Sequence, residues 1–111
     1  LKCNYTVAYN TGMIRDNNDN VDNRDLIFKA LGDPTRRIIL DELAERDGMT
    51  LFELTTRLIM KHQLSITRQG IAKHLGVLEE AGLAQSVRKG KYRLIRFNRE
   101  PLRDLLKSWL D

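Results

Sequence analysis

The chain has one cysteine, Cys3, in 111 residues. A lone thiol excludes an intrachain disulfide framework and any zinc knuckle built from paired cysteines. It fits a reducing compartment, so a cytoplasmic location is expected. No apolar run approaches the ~20 residues of a membrane span, and the first residues hold no apolar signal-peptide core. No membrane partner is expected. Catalytic signatures are missing too. There is no G-x-S-x-G, no cysteine–histidine pairing at a useful spacing, no glycine-rich phosphate cradle and no pair of acids that spacing places in a cleft. Neither an enzyme nor a cofactor is expected. Cys3, His62 and His74 are too scattered to suggest a metal site.

Positive charge is present, and it is uneven. The formal net charge is +4. Residues 1–24 balance, 25–60 carry −2, 61–99 carry +7 and 100–111 carry −1. In 61–99 the bases Lys61, Arg68, Lys73, Arg88, Lys89, Lys91, Arg93, Arg96 and Arg99 meet only Glu79 and Glu80. A polyanion-binding face needs such a concentration. The length allows one domain with one modest core.

The cationic segment contains Thr67–Leu83, TRQGIAKHLGVLEEAGL. At helical spacing Ile71, Leu75 and Leu78 form an inward stripe. Arg68, Gln69, Lys73 and Gly76 fall on the other face. Thr67 is the expected N-cap, and Gly82 suits the position just past the helix end. Arg pairs with guanine and Gln with adenine in the major groove. An amphipathic surface helix would show the same periodicity, so the flanks decide.

Upstream, Asp25–Leu31 reads as a short helix capped by Asn23 or Asp22, with Leu26, Ile27, Ala30 and Leu31 apolar. Asp33-Pro34 opens a second, lined by Ile38, Ile39, Leu40, Leu43 and Ala44. Arg36 and Arg37 either reach phosphates or are ordinary solvated charges. Thr50-Leu51-Phe52-Glu53 is a capping box opening a third helix, with Leu51, Leu54, Leu58 and Ile59 inward. His62–Ser65 then connects it to the reading helix, a helix-turn-helix arrangement without the usual tight glycine.

Downstream, Ala84–Lys89 and Lys91–Asn98 read as strands around Gly90, with a bulge or two-sided burial at Leu94-Ile95. The tip, Arg88-Lys89-Gly90-Lys91, is a basic wing beside the reading helix. In Glu100–Leu110, residues Leu102, Leu105, Leu106, Trp109 and Leu110 make an amphipathic helix. Its stripe either pairs with a second copy or closes its own core.

Residues 1–24 differ from the rest. Asn and Asp crowd positions 16–23, which favours loop over core. Tyr5–Tyr9 has some strand propensity. The chain opens with Leu, and Met13 reads as a natural start that would make 1–12 an added segment. The expected organisation is a polar extension over 1–24 and a winged helix DNA-binding and dimerisation domain over 25–111. The fold class is mainly α with a small β-hairpin.

The element order, with Ala30-Leu31-Gly32-Asp33-Pro34-Thr35-Arg36, Lys73-His74-Leu75, Ala81-Gly82-Leu83 and the Gly90-Lys91 tip, resembles the ArsR/SmtB-like family of winged helix regulators. The resemblance runs from about Leu26 to Leu110. It implies a homodimeric regulator, usually a repressor, on a near-palindromic operator, joined through its first and last helices. Metal-sensing members carry C-x-C at the start of the third helix, where this chain has Thr50 and Phe52, or ligands on the last helix, where it has neither His nor Cys. On this reading Arg68, Gln69 and Lys73 reach base edges or phosphates. Ser65, Thr67 and His74 position the DNA backbone, His74 either packing or touching phosphate, and Arg88, Lys89 and Lys91 grip the next phosphates or the minor groove. Leu26, Ile27, Leu102, Leu105, Leu106, Trp109 and Leu110 form the dimer face. The competing reading is a winged helix whose basic face meets an acidic protein.

Overall fold

The computed structural model describes residues 23–111. The expected polar extension, its Tyr5–Tyr9 strand and the Met13 start lie outside the described residues, except Asn23 and Arg24. The elements in order are α1 (Asn23–Leu31), α2 (Pro34–Glu45), α3 (Leu51–His62), α4 (Arg68–Glu80), β1 (Ala84–Lys89), β2 (Tyr92–Phe97) and α5 (Glu100–Leu110). α1 starts two residues before the expected Asp25, so Asn23 is its first residue rather than a cap before it.

Side-chain caps set three helix starts. Asp33 accepts from the Arg36 N–H at 3.1 Å, Thr50 from the Glu53 N–H at 3.1 Å and Thr67 from the Gly70 N–H at 3.0 Å. Each satisfies one of the amides that a helix N-terminus leaves unpaired. The box at Thr50 differs from expectation, because the Glu53 carboxylate pairs with Arg46 and Arg57. Between α3 and α4 the left-handed position is filled by Gln63, φ 54°, in place of glycine. α4 ends with Gly82 at φ 78°, and the Leu83 N–H donates to the Leu78 carbonyl at 2.9 Å. That geometry turns the chain directly into β1.

The core gathers Ile27 and Ala30 from α1, Ile39, Leu40 and Leu43 from α2, Leu54 and Leu58 from α3, and Ile71, Leu75 and Leu78 from α4. Leu83, Ala84, Ile95 and Leu105 close it. Each large apolar side chain removed from water contributes about 1.5–3 kcal/mol. Ala44 and Ile59 were expected inside, but both are exposed, because the facing helices reach only the other side of α2 and α3.

β1 and β2 pair antiparallel in unbroken register, with Val87 opposite Leu94 and Arg88 opposite Arg93. No bulge forms at Leu94-Ile95. Ile95 is buried in the core, and Leu94 is half-buried on the other face beside Gly48. A contact the sequence did not suggest holds β2 in place. Met49 and Ile95 exchange both backbone hydrogen bonds, at 3.1 and 2.7 Å. Asn98 closes the base of the hairpin, donating from its backbone to Leu83 O at 2.8 Å and from Nδ2 to Gly82 O at 3.0 Å.

Candidate nucleic-acid interface

α4 buries Ile71, Leu75 and Leu78 and exposes Arg68, Gln69, Ala72, Lys73 and Gly76. Ser65 and Thr67 are exposed just before it. Thr67 Oγ1 is engaged as the cap, accepting from the Gly70 N–H, and its hydroxyl can still donate. The cationic and amide groups expected to read DNA therefore share one open helix face.

His74 takes the packing role of its two expected ones. It is half-buried, with Nδ1 3.1 Å from an Arg36 Nη1 and 3.9 Å from Asp33 Oδ2. Its ring packs toward α2, so that nitrogen is not offered to a phosphate. Arg36 and Arg37 both donate to carbonyls of α1, and Arg37 stays exposed. Arg36 donates from Nε to Ala30 O at 2.8 Å and from Nη2 to Lys29 O at 3.0 Å, and Arg37 donates to Leu31 O at 2.6 Å. Two arginines thus satisfy the last carbonyls of α1. Asp33 lies below the usual carboxylate range. Burial pushes it up, and the Arg36 N–H, His74 and the Arg36 charge outweigh that.

The wing is exposed throughout its tip. Arg88, Lys89 and Lys91 all reach solvent, around Gly90 at φ 62°. Lys91 Nζ stands 5.7 Å from the centre of the Tyr92 ring. Arg93, absent from the expected set, lies directly across the ladder from Arg88. Like charges facing each other in this way repel, so the pair is a local cost that an anion would relieve. The signal was its place opposite Arg88 in an antiparallel hairpin. Ser86 Oγ donates to Glu79 Oε2 at 2.9 Å, joining β1 to the end of α4. Helix and wing therefore form one unit.

The nine bases of 61–99 do not act together. Arg96 pairs with Asp47 through two bonds of 3.1 and 3.0 Å, Arg99 lies over the Phe97 ring at 4.7 Å, and Lys61 pairs with Glu42 and Glu45. Among the described residues no carboxylate lies within ion-pair reach of Arg68, Lys73, Arg88, Lys89, Lys91 or Arg93.

The expected dimer residues also divide. Ile27 and Leu105 are buried in the protomer's own core, so neither is free to meet a partner. Leu26 and Leu102 are half-buried, while Leu106, Trp109 and Leu110 are 47%, 59% and 78% exposed. Phe28, unforeseen, joins them: it is exposed and stacks on Trp109 with ring centres 5.8 Å apart. Among the described residues no three His, Cys, Asp or Glu side chains gather into a metal site, and no helix is long and apolar enough to cross a membrane.

A short helix-turn-helix with an exposed cationic reading face and a basic hairpin fixed to it defines a winged helix-turn-helix DNA-binding domain. A helix-turn-helix domain family matches residues 31–87. The chain is 68% identical over 89 residues to the uncharacterized HTH-type transcriptional regulator YuzN of Bacillus subtilis, covering 80% of this chain and 97% of that one. It is 34% identical to the transcriptional repressor SdpR of the same organism, over 76% of this chain and 84% of SdpR. An ArsR-like transcriptional regulator from Rhodococcus, solved as a structure, superposes with a TM-score of 0.67 at 35% identity, covering 78% of this chain and 74% of that one. The chain belongs to the ArsR-like winged helix-turn-helix family of transcriptional regulators. It is a DNA-binding regulator, and this is not a family of enzymes.

Proposed function

We propose that the chain acts in the cytoplasm as a homodimeric repressor on a two-fold symmetric operator. The observation that carries this is the set of six cations on α4 and the wing that have no carboxylate partner among the described residues, on two elements joined by the Ser86–Glu79 bond. Arg68, Gln69 and Lys73 enter the major groove and read base edges there. Ser65 and Thr67 take adjacent phosphates. Arg88, Lys89, Lys91 and Arg93 take the phosphates or minor groove beyond them. His74 acts from behind α4 rather than on DNA.

Self-association is supported by the exposed Phe28, Leu106, Trp109 and Leu110 on α1 and α5, an apolar face of the kind that partners cover. Two copies joined there would place two reading helices about one helical turn apart, ~34–36 Å. SdpR is named a repressor, and a dimer seated over a promoter blocks polymerase, so repression is the reading adopted here.

Selection of bound sequences from a random duplex pool, followed by mobility shifts across a salt series, tests this. The expected result is an inverted-repeat consensus and affinity that falls steeply with salt. Absence of salt-dependent duplex binding would favour an acidic protein partner instead.

A further inference from the structure

We propose that Arg36 is a positioning residue for DNA recognition: its guanidinium joins the end of α1 to the reading helix through His74 and so sets the attitude of α4 to the α1–α5 face. This rests on the dimeric DNA-binding reading above. α1 is a nine-residue helix whose last carbonyls have no partner within it. Arg36 takes two of them, Lys29 O at 3.0 Å and Ala30 O at 2.8 Å. Its remaining arm lies 3.1 Å from Nδ1 of His74 on α4. A guanidinium stays protonated and only donates, so Nδ1 accepts and the ring proton sits on Nε2.

The fork is planar and rigid. Fixing two of its arms on α1 fixes the direction of the third, and with it the azimuth of His74. His74 follows Lys73 directly, so the constraint arrives beside the reading residues. Asp33 Oδ2 steadies Arg36 itself, accepting its backbone N–H at 3.1 Å. The same end of α1 carries Phe28, stacked on Trp109 of α5. Named contacts therefore run from α5 through α1 and Arg36 to α4. In a dimer joined at α1 and α5, the angle of each α4 to that face determines where the two reading helices fall along a duplex.

The test is the tolerance of the protein to half-site spacing. Arg36→Lys keeps the charge but replaces the fork by one flexible ammonium. Wild type is expected to lose about tenfold in affinity or more when the selected half-sites are moved one base pair together or apart. Arg36→Lys is expected to dimerise, to bind random duplex with an unchanged salt slope, and to lose most of that spacing preference. His74→Leu leaves the α1 carbonyls capped and carries the same expectation for spacing, which covers the case where Arg36→Lys does not fold. The double variant is expected to be no worse than the poorer single one.

Several results overturn the proposal. One is full spacing preference in whichever variant folds. Another is additive losses in the double variant. A third is a salt slope lowered by about one unit in Arg36→Lys, which would make Arg36 a direct phosphate contact. Wild-type protein that binds no duplex would instead defeat the parent reading, and this one with it.

Discussion

Two groups of cations in this molecule have opposite fates. On the α2–α3 face, Arg46, Arg57 and Lys61 are all answered by Glu42, Glu45 and Glu53, and His62 hydrogen-bonds Glu42. On α4 and the wing, Arg68, Lys73, Arg88, Lys89, Lys91 and Arg93 have no carboxylate partner among the described residues. Composition counts both groups alike. Pairing separates them: charge that the fold neutralises holds helices together, and charge that it leaves open is available to an anion.

The paired group centres on Glu42, whose side chain is only 4% exposed and meets Arg57 at 3.0 Å, Lys61 at 3.1 Å and His62 at 2.8 Å. Burial alone pushes its carboxyl up, and the hydrogen bonds from His62, Arg57 and Lys61 outweigh that, taking it from 4.5 to about 2. A carboxylate whose folded value is depressed stabilises the fold above its ordinary value and ceases to as pH falls through the folded one. Stability from Glu42 is therefore full above pH 4.5 and lost toward pH 2, an effect of about 3 kcal/mol. Glu42→Ala is expected to cost about 3 kcal/mol at neutral pH, because Arg57 and Lys61 are left facing each other without their shared carboxylate. Urea unfolding at pH 7 and at pH 3 checks both: the variant should have lost most of the wild-type acid sensitivity. A loss below ~1 kcal/mol would put this cluster in the same class as ordinary surface pairs and end the comparison.

The second expected effect concerns apolar rather than charged groups, and makes the same division. Leu105 is buried at home, while Trp109 on the same helix is left 59% exposed. Trp109→Glu is expected to lower self-association by about 2–4 kcal/mol, as for a central aromatic at an interface, while leaving the monomer folded. Sedimentation over a concentration series reads this directly. An unchanged oligomeric state would mean that the exposed stripe has another use.

Local chemistry was legible in the sequence and distant chemistry was not. Thr67, Thr50 and Asp33 act on amides three residues away, so their caps could be read from spacing alone. The hairpin and the α4 stripe are similarly local. Glu42 meets His62 across 20 residues, Arg36 meets His74 across 38 and Met49 meets Ile95 across the body of the domain. None of these has a spacing signature. Ile27 was placed on the dimer face for the same reason: periodicity names a face but does not say which neighbour covers it. Phe28 was missed because it lies off the α1 stripe and shows its use only against Trp109.

Within the open group, position separates two kinds of contact. Arg68 sits at the first residue of α4 on the reading face, and Lys89 at the wing tip. Arg68→Ala is expected to cost about 1–3 kcal/mol on the selected duplex and to relax choice at one base pair. Lys89→Ala is expected to weaken selected and random duplexes alike and lower the salt slope by about one unit. Competition binding against single-position variants of the consensus distinguishes the two. Equal losses on both duplexes for Arg68→Ala would move it into the phosphate-holding set.

At Gly76 the expected effects are small, and stability and binding should move in opposite directions. Gly76 lies inside α4, seven residues after Gln69 and three after Lys73, on their face, and a Cβ built there meets nothing within 4 Å. Its backbone is ordinary helix, so alanine would fit without strain. Glycine in a helix interior costs about 0.5–1 kcal/mol relative to alanine, and among the described residues nothing beside Gly76 offsets that. A missing side chain on the reading face lets the helix backbone approach a surface closely. Gly76→Ala is accordingly expected to raise unfolding stability by about 0.5–1 kcal/mol and to lower affinity for the selected duplex. A gain in stability with undiminished affinity would show that DNA does not approach α4 at Gly76, and would shorten the reading face to its first turns, from Arg68 to Lys73.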